Sequence, residues 1–198
     1  MDQNYSETIK YYDENAKGFV EQTIDADLTA LHNQFLADLP CPARILDAGS
    51  GSGRDTRAFR QLGHEVVAID ASEEMVKATR HTAGEPVVHS EFIKYACDDL
   101  FDGVWACASL LHVPRKQLSQ TLTHLSGLMK DGGRMFVSFK IGSTEEVRHG
   151  RFFNDLDEDQ LEGILVDVPT LKAASMWITN DARPDRNDQW LNAILLKV

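Results

Sequence analysis

The sequence predicts an α/β fold, in which a mostly parallel sheet of seven strands carries helices on both faces and ends in an antiparallel C-terminal hairpin. Short apolar runs alternate with amphipathic segments along most of the chain, which is the pattern of parallel strands joined by helices. A glycine-rich turn separates the first run from the next helix, as in the ligand-binding corner of a Rossmann-type sheet. Two β-like runs at the C-terminal end have no helix between them, so we expect them to form the hairpin.

The predicted helices follow from apolar residues that recur on one helical face, and their ends follow from turn residues. Pro40 ends the second helix, Gly63 ends the third, and Pro114 takes the favoured first position of the fifth. Ser72 is placed as the N-cap of the fourth. The predicted helices cover residues 6–19, 28–38, 54–62, 73–82, 115–129 and 157–165.

The predicted strands are short apolar runs bounded by glycine, proline and polar residues. They cover residues 43–48, 65–70, 87–89, 102–108, 134–139, 171–179 and 190–197. Asp131-Gly132-Gly133 predicts a turn before the fifth strand, and the polar, glycine-punctuated residues 143–154 predict a loop.

Composition indicates one globular domain over residues 1–198, with 42% hydrophobic and 26% charged residues. No apolar run approaches the roughly 20 residues that span a bilayer. The first ten residues are polar and lack a signal-peptide core, so we expect a cytoplasmic protein. Cys41, Cys97 and Cys107 have no paired spacing, which favours a reducing compartment over a disulfide framework or a zinc site. A formal charge of −11 argues against nucleic acid as a partner. Either a monomer or a homodimer fits these data.

The glycine turn has a spacing that is unusual for a dinucleotide site. Asp47, Gly49, Gly51 and Gly53 fall on every second position, whereas the NAD fingerprint is Gly-x-Gly-x-x-Gly. Counted from Gly49, the third glycine position holds Arg54. The Asp47 carboxylate would also repel a pyrophosphate and would suit a ligand with a cationic amine.

Asp70 lies 21 residues beyond Gly49, at the end of a short apolar run. An acidic residue at this place accepts hydrogen bonds from ribose hydroxyls in related sheets. Capping of the following helix is an alternative role for Asp70. A glycine turn with a ribose acid but without the pyrophosphate glycine predicts an adenosyl ligand that lacks phosphates.

These motifs resemble those of the class I S-adenosylmethionine (SAM)-dependent methyltransferases, over nearly the whole chain. Four motifs occur in the family order: Asp47–Gly53, Val67–Ser72, Phe101–Trp105 and Gly132–Val137. The resemblance implies SAM as the cofactor, direct in-line transfer of its methyl group and no metal. Gly-Arg-Phe-Phe at 150–153 and Arg-Pro-x-Arg at 183–186 resemble a tellurite-resistance-like branch of small-molecule methyltransferases.

The resemblance also implies which residues hold the cofactor, with residues 1–40 as a helical cover above them. Core packing is an equal alternative to cofactor contact for Met75. For Glu91 and Phe92 the equal alternative is an exposed glutamate followed by a core phenylalanine. The implied cofactor-binding residues are Tyr12, Thr23, Asp47, Ala48, Gly49, Ser50, Gly51, Gly53, Asp70, Ala71, Ser72, Met75, Ser90, Glu91, Phe92, Ala108, Ser109 and Leu110.

Three residues are candidates for binding or activating the molecule that accepts the methyl group. His112 follows the fourth strand, where it would act as a base or orient the acceptor, unless it only packs the loop. Tyr11 would face the site from the first helix. Arg151 would bind an anionic acceptor, together with Arg183, unless the arginines pair with nearby acids, as we expect for Arg186.

The nature of the acceptor follows from absent motifs. Neither the Asn/Asp-Pro-Pro-Tyr/Phe motif of amino-directed nucleic-acid enzymes nor a Pro-Cys nucleophile follows the fourth strand. Both absences favour a small-molecule acceptor. Two alternatives stay open: a catalytically silent SAM-binding or assembly protein, and a methyltransferase that acts on protein or nucleic acid.

Overall fold

The computed structural model describes residues 3–184 and 186–198 and has the predicted architecture. Met1, Asp2 and Asp185 lie outside the described residues, as does any pairing of an arginine with Asp185. The helices are α1 (Gln3–Thr23), α2 (Thr29–Leu36), α3 (Arg54–Gln61), α4 (Glu73–Ala83), α5 (Arg115–Gly127) and α6 (Glu158–Val166). The strands are β1 (Arg44–Ala48), β2 (Glu65–Asp70), β3 (Val87–His89), β4 (Phe101–Ala106), β5 (Met129–Lys140), β6 (Glu145–Arg148), β7 (Arg151–Asn154), β8 (Leu171–Asn180) and β9 (Gln189–Lys197).

The main sheet has seven strands in the order β3-β2-β1-β4-β5-β9-β8. β1 to β5 run parallel to one another, and β9 is antiparallel to both β5 and β8. The fold class predicted from the sequence is therefore confirmed. Chain order reverses between β1 and β4, and ligands of such sheets bind beyond the carboxyl ends of the strands at this point.

Helices cover both faces of the sheet because neighbouring residues of a strand point to opposite sides. On β4, Val104 belongs to the core beneath α5 and α6, whereas Trp105 belongs to the core beneath α2 and α3. The Trp105 ring stacks on Phe136 of β5 with 4.1 Å between ring centroids. Within the described residues, no helix combines the length and apolar character that crossing a membrane requires.

Two local predictions need correction. The turn predicted at residues 131–133 does not precede the strand but interrupts it: β5 continues back to Met129, and its register against β4 shifts over these residues, where Gly132 has a φ of 76°. The loop predicted at 143–154 contains a hairpin of β6 and β7. Its two-residue turn, His149-Gly150, has φ angles of 51° and 78°, as the tightest hairpin turns require.

Candidate functional site

A cavity of about 710 Å³ lies at the carboxyl ends of β1, β2 and β4, beneath α1. α1 is tied down on both sides of it. Asp13 accepts hydrogen bonds from the Ser72 hydroxyl at 2.6 Å and from the Glu74 backbone N–H at 3.2 Å, at the start of α4. On the other side, the Thr8 hydroxyl accepts a hydrogen bond from the backbone N–H of Phe152 on β7. Helix α1 therefore forms one wall of the cavity.

The glycine turn after β1 forms the floor of the cavity and depends on glycine for its shape. Gly49 has a φ of +86°, and a Cβ atom there would lie 2.5 Å from the Cβ of Ser109. Gly53 has a φ of +79°, and its Cβ would lie 2.8 Å from the Cα of Thr79 in α4. A larger residue at either position would clash, so glycine is needed for the turn to pack this closely against α4 and the segment after β4.

Asp70, at the end of β2, joins the glycine turn to the start of α4. One carboxylate oxygen accepts a hydrogen bond from the Gly51 N–H and the other from the Ser72 N–H, both at 2.9 Å. The Ser72 hydroxyl in turn caps α4 by accepting from the Met75 N–H, which confirms the predicted N-cap. Burial raises the pKa of Asp70 to about 6 despite these backbone donors. The carboxylate retains acceptor capacity for a ligand in the cavity, which Asp70 lines.

A buried polar cluster lies beside the glycine turn, at the start of α3. The Asp55 carboxylate accepts hydrogen bonds from the Arg54 guanidinium at 2.7 and 2.8 Å, His32 Nε2 at 3.0 Å and Trp105 Nε1 at 2.9 Å. Burial opposes ionisation, but the Arg54 charge and these donors hold the pKa of Asp55 well below its usual range. The cluster fixes Arg54 at the cavity wall, where it also approaches the Thr23 carbonyl oxygen.

Asp47 lies behind this wall. Its side chain is buried and accepts a hydrogen bond from the Thr56 hydroxyl. Burial, followed by the nearby Asp55 charge, raises the pKa of Asp47 to about 7. Sequence reasoning missed Arg54, Asp55 and His32. An Arg-Asp pair directly after the last glycine, at the start of a helix, was the available signal.

The predicted cofactor residues separate into two groups in the structure. Those that line the cavity are Tyr12, Thr23, Gly49, Ser50, Gly51, Asp70, Ala71, Ser72, Met75, Phe92, Ala108 and Ser109. Those that lie outside the lining are Asp47, Ala48, Gly53, Ser90, Glu91 and Leu110. Ala48 and Leu110 are fully buried, and Glu91 pairs with Lys94 at the surface. Contacts of both groups with a ligand stay predictions. Tyr5 and Phe19, also missed from the sequence, line the cavity from α1.

The opposite end of the cavity brings together the three residues that the sequence predicts to bind or activate the methyl acceptor. Arg151 lies over the rings of Tyr11, Tyr12 and Phe153, with its guanidinium carbon 4.9, 5.8 and 5.1 Å from the ring centroids. Its Nη1 is 3.4 Å from the Tyr12 hydroxyl, and its buried Nε has no hydrogen-bond partner. No carboxylate in the described part of the chain pairs with Arg151, so the cavity holds a cation without a counter-charge.

Two neighbouring cations are paired. Arg183 forms a two-pronged ion pair with Asp181, whose second oxygen also accepts from Trp190 Nε1. Lys140 pairs with Asp188 at 2.7 Å. The alternative of a structural ion pair therefore holds for Arg183 and not for Arg151.

His112 has a defined hydrogen-bonding state. Its Nδ1 is 2.6 Å from the Phe152 carbonyl oxygen, which can only accept, so Nδ1 carries the proton. Nε2 of the neutral ring then accepts a hydrogen bond from the Tyr12 hydroxyl at 2.8 Å. Burial lowers the pKa of His112 to about 4, and the Arg151 and Lys140 charges act in the same direction. Burial raises the pKa of Tyr12, against the lowering influence of Arg151.

Comparison with known proteins finds methyltransferases. A family model described as a methyltransferase domain matches residues 45–133. The ubiquinone biosynthesis O-methyltransferase of Xanthomonas axonopodis pv. citri is 33% identical over 106 residues, which are 50% of this chain and 44% of that protein. The corresponding Xanthomonas campestris pv. campestris protein is 34% identical over 103 residues, 48% of this chain and 42% of that one. The chain thus spans less than half the length of these curated relatives.

Solved structures share the fold over almost the whole chain. The Burkholderia thailandensis 1,6-didemethyltoxoflavin-N1-methyltransferase, with its substrate and S-adenosylhomocysteine bound, superimposes with a TM-score of 0.77 at 21% identity, covering 98% of this chain and 87% of that one. The Synechocystis PCC 6803 magnesium protoporphyrin IX methyltransferase with bound SAM gives 0.70 at 18% identity, covering 98% of each chain.

Residues 45–133 thus match a methyltransferase domain, and the chain as a whole shares its fold with solved methyltransferases that hold SAM or S-adenosylhomocysteine.

Proposed function

We propose that the protein transfers the methyl group of SAM to a small molecule with an anionic group, and that Arg151 binds this group. The observation that carries the proposal is the two-ended cavity. One end has the glycine turn and Asp70, and the other has Arg151 among aromatic rings. Transfer in line between two ligands held in one cavity needs proximity and orientation more than acid–base groups.

The cofactor end suits the uncharged ribose and the cationic sulfonium of SAM. Asp70 is already fixed by two backbone donors, so it can accept ribose hydroxyls without reorganising. Asp55, which is held ionised beside the turn, adds negative charge at this end of the cavity and favours the cationic part of SAM. In our proposal, residues 1–40 act as the cover of this end.

The acceptor end suits an anion because a partly buried guanidinium without a counter-charge is costly to keep. Arg183 has a counter-charge, so we assign the anionic group to Arg151 alone. The names of the relatives specify both O- and N-methylation, which leaves either atom as the acceptor. The narrower tellurite-resistance-like branch rests on the sequence resemblance around Arg151.

The first experiment measures conversion of SAM to S-adenosylhomocysteine with a cell metabolite extract separated by anion exchange. We expect turnover in the fractions that the resin retains. Turnover only in unretained fractions would contradict an anionic acceptor. Binding of S-adenosylhomocysteine without turnover in any fraction would favour a silent SAM-binding protein, and turnover only with peptides or nucleic acid would favour a macromolecular acceptor.

The second experiment replaces the guanidinium. Arg151→Lys keeps the charge but removes the planar fork, so we expect a higher KM or a lower kcat for the active fraction with unchanged S-adenosylhomocysteine affinity. Arg148→Lys is the matched control, since Arg148 faces Arg151 across the same hairpin but pairs with Asp155. Normal kinetics with a lower melting temperature for Arg151→Lys would show a structural role instead.

A further inference from the structure

The hydrogen bonds around Tyr12 and His112 have only one consistent direction, and this direction suits the pair to proton transfer. The Phe152 carbonyl oxygen fixes the His112 proton on Nδ1, so Nε2 must accept from Tyr12. The phenol therefore points its own hydrogen toward the imidazole. Its oxygen keeps two lone pairs, of which one faces Arg151 Nη1 at 3.4 Å. The other is available to a hydrogen-bond donor in the cavity that Tyr12 lines.

We propose that Tyr12 takes the proton of the methyl acceptor while passing its own hydroxyl proton to Nε2 of His112. This inference rests on the proposed methyl transfer and deepens it, since it specifies the acceptor atom as one that carries a weakly acidic O–H or N–H. Tyr12 touches the substrate in this account, and His112 is a positioning residue whose lone pair is occupied by Tyr12.

The step balances in atoms and charge. The acceptor's lone pair forms the new bond to the methyl carbon, and the electrons of the breaking S–C bond return to sulfur. The acceptor's proton goes to the Tyr12 oxygen, and the Tyr12 proton goes to Nε2 of His112. The products are the methylated acceptor, neutral S-adenosylhomocysteine and an imidazolium, which later releases its proton to solvent.

The surrounding charges permit this transfer only when it accompanies loss of the sulfonium. Arg151 and Lys140 face His112 and disfavour a second cation there. Methyl transfer removes one positive charge from the cavity as the imidazolium gains one, so the net charge of the site is unchanged. The Nδ1 hydrogen bond to the Phe152 carbonyl stabilises the imidazolium when it forms. Arg151 stabilises negative charge that develops on the Tyr12 oxygen.

The test measures transfer of isotope-labelled methyl from SAM to the pooled metabolite extract, by wild type and by two variants. Tyr12→Phe keeps the ring, which packs against Phe19 with centroids 5.1 Å apart, and removes only the hydroxyl. His112→Asn keeps a donor for the Phe152 carbonyl and removes the acceptor at Nε2. Tyr95→Phe is the control, because it removes a buried tyrosine hydroxyl away from the cavity.

Both site variants should lose about 100-fold or more in transfer rate, within the range for general base catalysis, with S-adenosylhomocysteine affinity and melting temperature near wild type. Raising the pH should restore the Tyr12→Phe rate in part, because the acceptor then ionises without help. A structural role for the hydroxyl would give no such recovery.

Wild-type rates for Tyr12→Phe, or a loss that is constant with pH, would overturn the relay and leave methyl transfer intact. A product methylated on carbon or on a tertiary amine nitrogen would also overturn it, since such acceptor atoms carry no acidic proton. Absence of label transfer by wild type, with S-adenosylhomocysteine bound, would overturn the proposed function and the relay together.

Discussion

Replacement of Asp70 by alanine should separate the two roles that the structure gives its carboxylate. Asp70 accepts the Gly51 and Ser72 N–H groups, each at 2.9 Å, and we propose that it also accepts ribose hydroxyls. Each buried donor left without a partner costs about 1–3 kcal/mol. Water that enters the cavity can hydrogen-bond to the Gly51 N–H. For the two donors together we therefore expect a loss near the lower end of this range, about 2 kcal/mol in the free energy of unfolding. The variant should therefore stay folded.

We expect the substitution to weaken SAM binding by a larger relative amount than it lowers stability. Loss of hydrogen bonds to a charged group costs about 1.5–3 kcal/mol, which corresponds to a Kd for SAM that is about 10- to 150-fold higher. Calorimetric titration with SAM, beside chemical denaturation of the same samples, measures both quantities. Glu65→Ala is the matched control, because Glu65 begins the same strand at the far end, and its exposed pair with Arg44 contributes little. Wild-type SAM affinity in Asp70→Ala, with reduced stability, would refute the ribose assignment.

Three further predictions test the rest of the site. Gly49→Ala should lose stability and SAM binding, because its Cβ would meet Ser109, whereas Gly63→Ala, with a φ of +89° but open space, should lose only about 1–2 kcal/mol in denaturation and bind SAM normally. Asp55→Ala should lower the free energy of unfolding by about 3–5 kcal/mol, since it leaves the Arg54 charge without its partner; a melting temperature near wild type would contradict this. SAM affinity should weaken as pH falls through about 6, because burial raises the pKa of Asp70 to about 6 and its protonated form no longer attracts the ligand cation; a titration series in which the affinity stays constant would be the contrary result.

The sheet was predictable because its signals are local. The central strands are short, mostly apolar runs, and the turn after β1 carries glycines that its positive φ angles require. The β6–β7 hairpin was missed because β6 is largely exposed and charged, and so lacks the alternation that indicates a strand. Its turn at His149-Gly150 was the remaining local signal.

Individual residues of the site were predictable from the sequence, but the hydrogen bonds that join them were not. The glycine turn, Asp70 and Arg151 could be chosen from residue type and position. The bonds that define their chemistry join residues distant in sequence: His32 to Asp55, and Tyr12 to His112, 100 residues apart. Such pairs depend on how α1 and α2 pack over the sheet, which no local pattern encodes. Asp47 shows the converse, since its motif position is clear but its side chain lies behind the cavity wall.

A crystal structure of the protein with S-adenosylhomocysteine tests the central claim most directly. The account predicts the ligand in the cavity beneath α1, with its ribose hydroxyls hydrogen-bonded to Asp70 and its sulfur directed toward Tyr12 and Arg151. Ligand bound outside this cavity, or a ribose that makes no contact with Asp70, would contradict it.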